Sequence, residues 1–341
     1  MAESELRLPH VGLTVMGEST HTATRETLAR LPSGTKIETM VHTYTGSKDG
    51  PTVYLQAAQH GREVNGAEVL RRLHNEIVDA DLAGKVIAVP VADPLTFDHV
   101  SYITPEQLDP VNPNMNRVWP GDKNGSIHER MAARLWDHAH TADVIIDLHT
   151  GSPNMLPHVV ALEGHTDSLE LGRVFGTGLL LTEQAHAAAS EEWHRRSFGG
   201  KLRVAAVEEG IPSITPELAY SEQIVEDAVE IGVRGILNVL RHLDILDEPL
   251  ADTGPQTLAR NHLGRIVASD SGLFRSNPDL TVGATVESGM FLGTLYDPTT
   301  YEPLQTIRAD RDGILYVLTQ EATVIMGEAL ANIAEPYNSQ D

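Results

Sequence analysis

Three apolar runs in this chain end in polar, chemistry-bearing residues, and this pattern constrains the fold more than any other feature. "GPTVYLQAAQH" runs into His60 and Glu63, "ADVIIDLHTG" carries Asp147 and His149 at its end, and "IPSITPEL" closes on Glu217. Short apolar runs bounded by Gly and Pro read as buried strands. Helical patterns lie between them. "EVNGAEVLRRLHNEI" puts Val64, Ala67, Leu70, Leu73 and Ile77 on one face. "SIHERMAARLWDHAH" begins with Ser126 as N-cap, and Glu129 completes a capping box. "GKVIAVPVAD" is a further strand, made slightly irregular by Pro90, and a helix from about residue 221 to 243 follows "IPSITPEL". Strands alternating with helices predict an α/β fold with a mixed, mostly parallel sheet flanked by helices on both faces. Open sheets of this kind place their sites at the C-terminal ends of strands, where all three motifs fall.

At 341 residues the chain exceeds the usual size of one domain. Composition shifts at "DEPLADTGPQT", which separates an α/β part, residues 1–246, from residues 257–334. In the latter, short β-like pieces punctuated by turn residues predict a small all-β barrel or sandwich. The segment 94–125, rich in Pro, Asn and Asp, is expected to be mostly irregular. Loops of that length in a compact domain are usually functional.

The chain has no cysteine, so any metal must sit on His, Asp or Glu, and sixteen histidines make that feasible. A net charge of −23 argues against nucleic acid, whose phosphates it would repel. No apolar run reaches the length of a membrane span. The start, "MAESELRLPH", lacks the apolar segment of a secretory signal, so a cytoplasmic location is expected. Lysine occurs only at 36, 48, 85, 123 and 201. Acidic excess with scarce lysine points to a protein kept soluble in high salt, hence to a halophilic source.

Catalytic zinc sites use three protein ligands and leave a position for water. His60 and Glu63, three residues apart at a helix start, can face one point, and His149 is available as a third ligand. Asp147, two residues along the same strand, shares a face with His149 and can hold a ligand histidine from behind. Each has a plainer alternative: a Glu favoured by the helix dipole, and a hydrogen-bonded strand-end histidine. The loop "NPNMNRVWPG" carries Asn116 and Arg117. Arginine can clamp a carboxylate with two parallel hydrogen bonds, and the amide can add a donor. Alone, that loop is equally a turn-rich surface segment. Glu217 is a candidate to carry a proton from water to a leaving amine, or else an ordinary strand-end glutamate.

Taken in order, His60-Gly61-Arg62-Glu63, Asn114-Met115-Asn116-Arg117-Val118-Trp119-Pro120-Gly121, Asp147-Leu148-His149-Thr150-Gly151 and Ile214-Thr215-Pro216-Glu217 resemble the succinylglutamate desuccinylase/aspartoacylase family, relatives of the zinc carboxypeptidases. The resemblance spans most of residues 50–220. It implies a zinc carboxypeptidase-like fold, with one zinc ion per chain on His60, Glu63 and His149. It further implies Glu217 as proton shuttle, and Asn116 and Arg117 as holders of the carboxylate of an N-acyl amino acid. Gly61 would let the chain turn sharply so that both ligands converge. "GGKLRVAAVEEGIP" is similar to the family's segment ahead of the catalytic glutamate and nominates Arg203 as a second substrate-binding arginine.

Two departures stand out. Family members often carry an oxyanion-stabilising arginine shortly before the Asn-x-Asn-Arg loop. Here none lies between Arg72 and Arg117, and Tyr102 occupies the comparable place. Ala219 stands where the family commonly has glycine. The C-terminal segment resembles the small barrel-sandwich appended to many of these enzymes, similar to biotinyl and lipoyl carrier domains. No lysine follows Lys201, so covalent attachment of either group is excluded, and a cap or oligomer contact is expected.

The implied activity is zinc-dependent hydrolysis of the amide bond of an N-acyl amino acid. Desuccinylation, deacetylation of aspartate and deacetylation of diaminobutyrate all occur in the family, and the last fits the halophile-like composition. A metallocarboxypeptidase acting on short peptides and a catalytically silent ligand-binding homologue are the alternatives. Besides the small-molecule substrate, a homo-oligomer, by default a dimer, is the expected partner.

Overall fold

The computed structural model describes residues 19–151, 154–260 and 265–337, so the opening decapeptide lies outside the described residues. An antiparallel hairpin, β1 (Thr20–Arg30) and β2 (Lys36–Thr45), leads into β3 (Lys48–Ala57), α1 (Asn65–Ile77), β4 (Ala83–Val89) and the short α2 (Pro94–Asp98). After the long loop come α3 (Ile127–Ala139), β5 (Val144–Gly151), β6 (His158–Leu162), α4 (Thr166–Phe175), β7 (Leu179–Glu183) and α5 (Glu191–Arg195). Then follow α6 (Leu202–Glu208), β8 (Ser213–Tyr220), α7 (Glu226–His242) and β9 (Thr257–Arg260). The rest is β structure: β10 (Ile266–Val267), β11 (Gly272–Ser276), β12 (Thr285–Val286), β13 (Phe291–Tyr296), β14 (Pro303–Arg308), β15 (Gly313–Leu318), β16 (Thr323–Val324) and β17 (Ala329–Pro336).

The large sheet runs β1-β2-β4-β3-β5-β8-β6-β7-β9 and continues through β17-β15-β12. Its centre, β4-β3-β5-β8, is parallel, as is β6-β7-β9. The pairs β1–β2, β2–β4 and β8–β6 are antiparallel. The sheet is therefore mixed, as expected, with antiparallel pairs on both sides of its parallel centre. The continuous apolar runs mark its parallel centre, which is buried on both faces. The hairpin escapes that signal because β2 alternates buried and half-buried residues.

Two cores cover the two faces. On one, α1 and α7 bring Val69, Leu73, Val229, Ile236 and Val239 against Val53, Leu55, Ile146 and Leu148. On the other, Met131, Leu135, Leu202 and Ala206 pack on Tyr54, Val89 and Ile145. Each fully buried Leu or Ile contributes about 1.5–3 kcal/mol relative to exposure. The face α1 buries differs at its start from the expected one: Asn65, Gly66 and Val69 go inside, whereas Val64 and Ala67 stay half-buried. Asn65 causes this rotation. Its amide donates to the carbonyls of Leu218 (2.8 Å) and Tyr220 (3.0 Å) and its Oδ1 accepts from the Val225 amide (2.9 Å), tying the helix start to β8.

The C-terminal β region is antiparallel, with a four-stranded sheet β14-β13-β11-β16 and its own core of Phe274, Val286, Leu292, Leu295, Ile307 and Leu315. It joins the large sheet through β17 on β9. No helix among the described residues is long and apolar enough to cross a membrane.

Candidate functional site

The backbone after β3 delivers His60 and Glu63 to one point, and crowding explains Gly61. A Cβ on Gly61 would stand 1.9 Å from the Thr96 carbonyl oxygen, so a close approach demands the glycine, not a left-handed turn. The left-handed residue here is Ala58, at φ 51°. His149 arrives from β5, paired across to Glu217 on β8. Beyond that pair the register slips, and Ala219, at φ 59°, occupies the irregularity. A left-handed backbone suits glycine, which accounts for the residue type that Ala219 replaces.

One ring nitrogen of His60, one of His149 and a Glu63 oxygen lie within 4.8 Å of one another, all buried. His60 Nδ1 is 2.8 Å from Glu63 Oε1, and His149 Nδ1 is 2.7 Å from Glu63 Oε2. The opposite edges of both rings face acceptors. His60 Nε2 lies 3.2 Å from Asn114 Oδ1, an oxygen that already accepts from the Asn116 amide. His149 Nε2 lies 2.9 Å from Asp147 Oδ2. In the tautomers in which both Nε2 atoms donate, both Nδ1 atoms turn lone pairs toward the Glu63 carboxylate. Three acceptors converging on one buried point require a positive charge between them, and two imidazoles with one carboxylate are a donor set suited to a divalent metal ion.

The electrostatics show how strongly this point draws positive charge. Burial alone would raise the Glu63 carboxyl, but the two histidines bring it down to about 2. Burial opposes charge on His149, yet Asp147 and Glu63 outweigh it and hold the ring well above its ordinary pKa.

Asp147 is itself held in place. Gln59 Nε2 donates to its Oδ2 (2.7 Å) and Gln56 Nε2 to its Oδ1 (3.0 Å). Trp119 Nε1 donates to Gln59 (2.8 Å) and the Tyr54 hydroxyl to Gln56 (2.9 Å). Of this buried network, only Asp147 is nominated by strand periodicity. The rest depends on partners far away in sequence.

The loop carrying Asn116 and Arg117 does reach the site. Asn116 Nδ2 is 3.3 Å from His149 Nε2, and its Oδ1 accepts from the Leu202 amide at 3.3 Å. A Cβ on Gly200 would sit 1.9 Å from the Arg117 carbonyl oxygen, so the loop packs directly on the entry to α6. Tyr102 is 44% exposed, but its ring stacks on His60 with centroids 4.1 Å apart. Desolvation pushes its hydroxyl up to about 12, so it remains a neutral donor, and it hydrogen-bonds Arg117. Arg62, between the two ligand candidates, pairs with Glu222 at the rim (3.0 Å).

These residues line a cavity of about 1090 Å³, one wall of which belongs to the C-terminal β region, including Tyr316, Val317 and Thr319. Burial raises the Glu217 carboxyl above its ordinary range. His158, opposite Glu217 on β6, is pushed down to about 4 by burial and is neutral. Arg203 reaches the cavity wall, but its guanidinium pairs with Glu183 and donates to Thr215 Oγ1 (3.1 Å). Lys201 pairs with the same Glu183 (3.1 Å) and lies 3.5 Å from the Phe198 ring centroid. Arg196 and Arg265 both pair with Glu192. Among the described cations lining the cavity, Arg117 alone has no carboxylate within ion-pair distance. Glu183, Lys201 and His158 carry no sequence signal of their own, since the elements that bring them together are short.

Residues 49–243 match the family described as Succinylglutamate desuccinylase/Aspartoacylase catalytic domain. The N-alpha-acetyl-L-2,4-diaminobutyric acid deacetylase of Halomonas elongata is 30% identical, the match covering 85% of this chain and 84% of that enzyme. A succinylglutamate desuccinylase from Silicibacter sp. TM1040 has a similar structure, with a TM-score of 0.81 at 21% identity, covering 98% of this chain and 100% of that one. The product-bound ectoine utilization protein of Ruegeria pomeroyi gives a TM-score of 0.79 at 21% identity, covering 96% and 98%. At these identities the structural likeness shows the fold.

Proposed function

The chain belongs to the succinylglutamate desuccinylase/aspartoacylase family, and we propose that it is a zinc-dependent deacylase acting on an N-acetyl amino acid with one carboxylate, of the N-acetyl-2,4-diaminobutyrate type. The reading rests on the convergence of His60, Glu63 and His149 on one buried point, in a cavity shared with Glu217 and Arg117. His60, Glu63 and His149 would hold one zinc ion, with Asn114 and Asp147 fixing the two rings. Bound there, zinc supplies Lewis acidity toward the acyl oxygen and a more acidic water.

The remaining work falls to the chain's own groups. Glu217, raised by burial, takes a proton from the attacking water and returns it to the departing amine. Tyr102 donates to the acyl oxygen as it gains charge, in place of the absent arginine. Asn116 and Arg117 hold the substrate carboxylate. Arg203 acts behind this surface by fixing Glu183. Residues 1–246 form the catalytic unit, and residues 257–334, as a barrel-sandwich, close the cavity.

The substrate class follows from the pairing of charges. One free cation, Arg117, matches one carboxylate. A second carboxylate, as in N-acetylaspartate or N-succinyl amino acids, would have to displace Glu183 to pair with Lys201 or Arg203. The Halomonas elongata relative, a deacetylase of an acetylated diamino acid by name, is consistent with this. The test is a turnover screen. N-acetyl-2,4-diaminobutyrate should exceed N-acetylaspartate and N-succinylglutamate in kcat/KM by about 10²-fold or more. Preference for a dicarboxylate, or for short peptides, would overturn the assignment. For the mechanism, Glu217→Gln should keep its zinc and lose about 10²–10⁴-fold in kcat. Wild-type turnover in that variant would refute the proton shuttle.

A further inference from the structure

A second group of metal-ligating side chains lies outside the site described above. His21 on β1, His42 on β2 and His74 on α1 each present a ring nitrogen within 4.8 Å of the other two. The hairpin register makes this possible. His21 stands opposite Tyr44, and His42 is two residues from Tyr44 on the same strand, so all three project from one face of the hairpin. That face is the one α1 covers, because Tyr44 belongs to the core that α1 helps to build. His21 Nε2 and His42 Nδ1 are 3.1 Å apart, with the planes of the two rings within 10° of parallel. This spacing is near the edge of a tetrahedron whose metal–nitrogen bonds are about 2.0–2.1 Å.

Tyr44 completes the arrangement. Its buried hydroxyl is 2.8 Å from His74 Nδ1 and can accept from that N–H, which leaves His74 Nε2 with a lone pair. Metal-binding histidines characteristically donate their second ring N–H in this way. The three rings are half-buried, so water retains access to a fourth position.

We propose that His21, His42 and His74 form a second site for a divalent transition metal, one that takes Zn²⁺, Ni²⁺ or Co²⁺ through three neutral imidazoles and a water. The donor set contains no carboxylate and no thiolate, which selects against Mg²⁺ and Ca²⁺. An overall charge of −23 favours a bound cation. The role is structural. A metal there would fasten the edge hairpin to α1, the helix that begins two residues after Glu63. The proposal does not depend on the catalytic reading of the other cluster.

Chelator-stripped protein is titrated with Co²⁺, followed by visible absorption, and with Zn²⁺, followed by calorimetry. Wild type should take up two equivalents. His42→Ala should take up one, with unchanged turnover at saturating zinc, and His74→Ala should do the same. The double variant His60→Ala/His149→Ala should still bind one equivalent, and its thermal midpoint should rise with added Zn²⁺. Adding His42→Ala to that background should abolish both effects. A wild type that binds a single equivalent, unaltered by His42→Ala and His74→Ala, overturns the site. So does a folded His60→Ala/His149→Ala protein that binds none.

Discussion

At the residue scale the arrangement turns on which ring nitrogen carries a proton. Asp147 faces Nε2 of His149, and its own two oxygens are each taken by a glutamine donor. Asp147→Asn would set an amide against those donors and weaken the acceptor that fixes the His149 tautomer. Zinc affinity should fall about 10–100-fold, as is typical when an outer partner of a ligand histidine is lost. Competition against a chromophoric chelator measures this, and wild-type affinity in the variant would show that Asp147 does not orient the ring. Residues that act along their own strand or helix are legible in the sequence. Asp147 follows from period two, and the His60/Glu63 pair from its spacing at a helix start. Asn114 escapes because the ring it faces, that of His60, lies 54 residues away in sequence. Glu183 escapes because its partners, Lys201 and Arg203, come from another element. Arg203 itself is legible, but its pairing with Glu183 is not, and the proposed substrate class rests on that pairing.

At the scale of elements, the long loop between α2 and α3 carries Tyr102, Asn116 and Arg117, and one buried histidine bolts it down. His128, on α3, is fully buried, with Nε2 3.1 Å from Asp93 and Nδ1 3.1 Å from Asp109. Asp93 also caps α2, accepting from the amides of Leu95 and Thr96, while Asp109 accepts from those of Val111, Asn112 and His128. Burial opposes the imidazolium, but the two carboxylates prevail and raise its pKa above 6.5. A pKa raised by folding contributes stability that is complete below the unfolded value, about 6.5, and lost as pH rises through the folded value. His128→Gln should therefore cost about 3 kcal/mol near pH 6, and the gap to wild type should narrow as pH rises. Denaturant unfolding of both proteins across pH 6–9 tests this, and a gap independent of pH would rule out a charged His128. The same region shows what is legible at this scale. The Ser126–Glu129 capping box is local chemistry and is present as expected. The Asp93–His128–Asp109 bridge spans the loop and leaves no local pattern. Likewise the parallel centre of the sheet declares itself by apolar runs, whereas β1 and β2, half-solvated, and β6 and β7, each only five residues long, do not.

For the whole molecule the dominant fact is charge. Forty-eight acidic residues face twenty-five basic ones, and several of the basic ones, Arg117, Arg196, Lys201, Arg203 and Arg265, are gathered in the cavity. Glutamates line the same cavity in similar number, so most of the acidic excess falls on the outer surface. Self-repulsion of such a surface opposes the compact state, and its range is set by ionic strength. The screening length is about 10 Å at 0.1 M salt and about 3 Å at 1 M, so molar salt removes most of the repulsion between neighbouring surface carboxylates. The buried pairs at Glu183 and His128 are screened far less and keep their contribution. The thermal unfolding midpoint should accordingly rise as KCl increases from 0.1 M to 1 M and above. An uncharged osmolyte at matched water activity should raise it less, because it leaves the charge repulsion intact. Scanning calorimetry in both series separates the two effects. A midpoint that falls with KCl would mean that exposed ion pairs such as Lys48–Asp81 and Lys123–Asp137 outweigh the repulsion, and the inference of a protein adapted to high salt would fail with it.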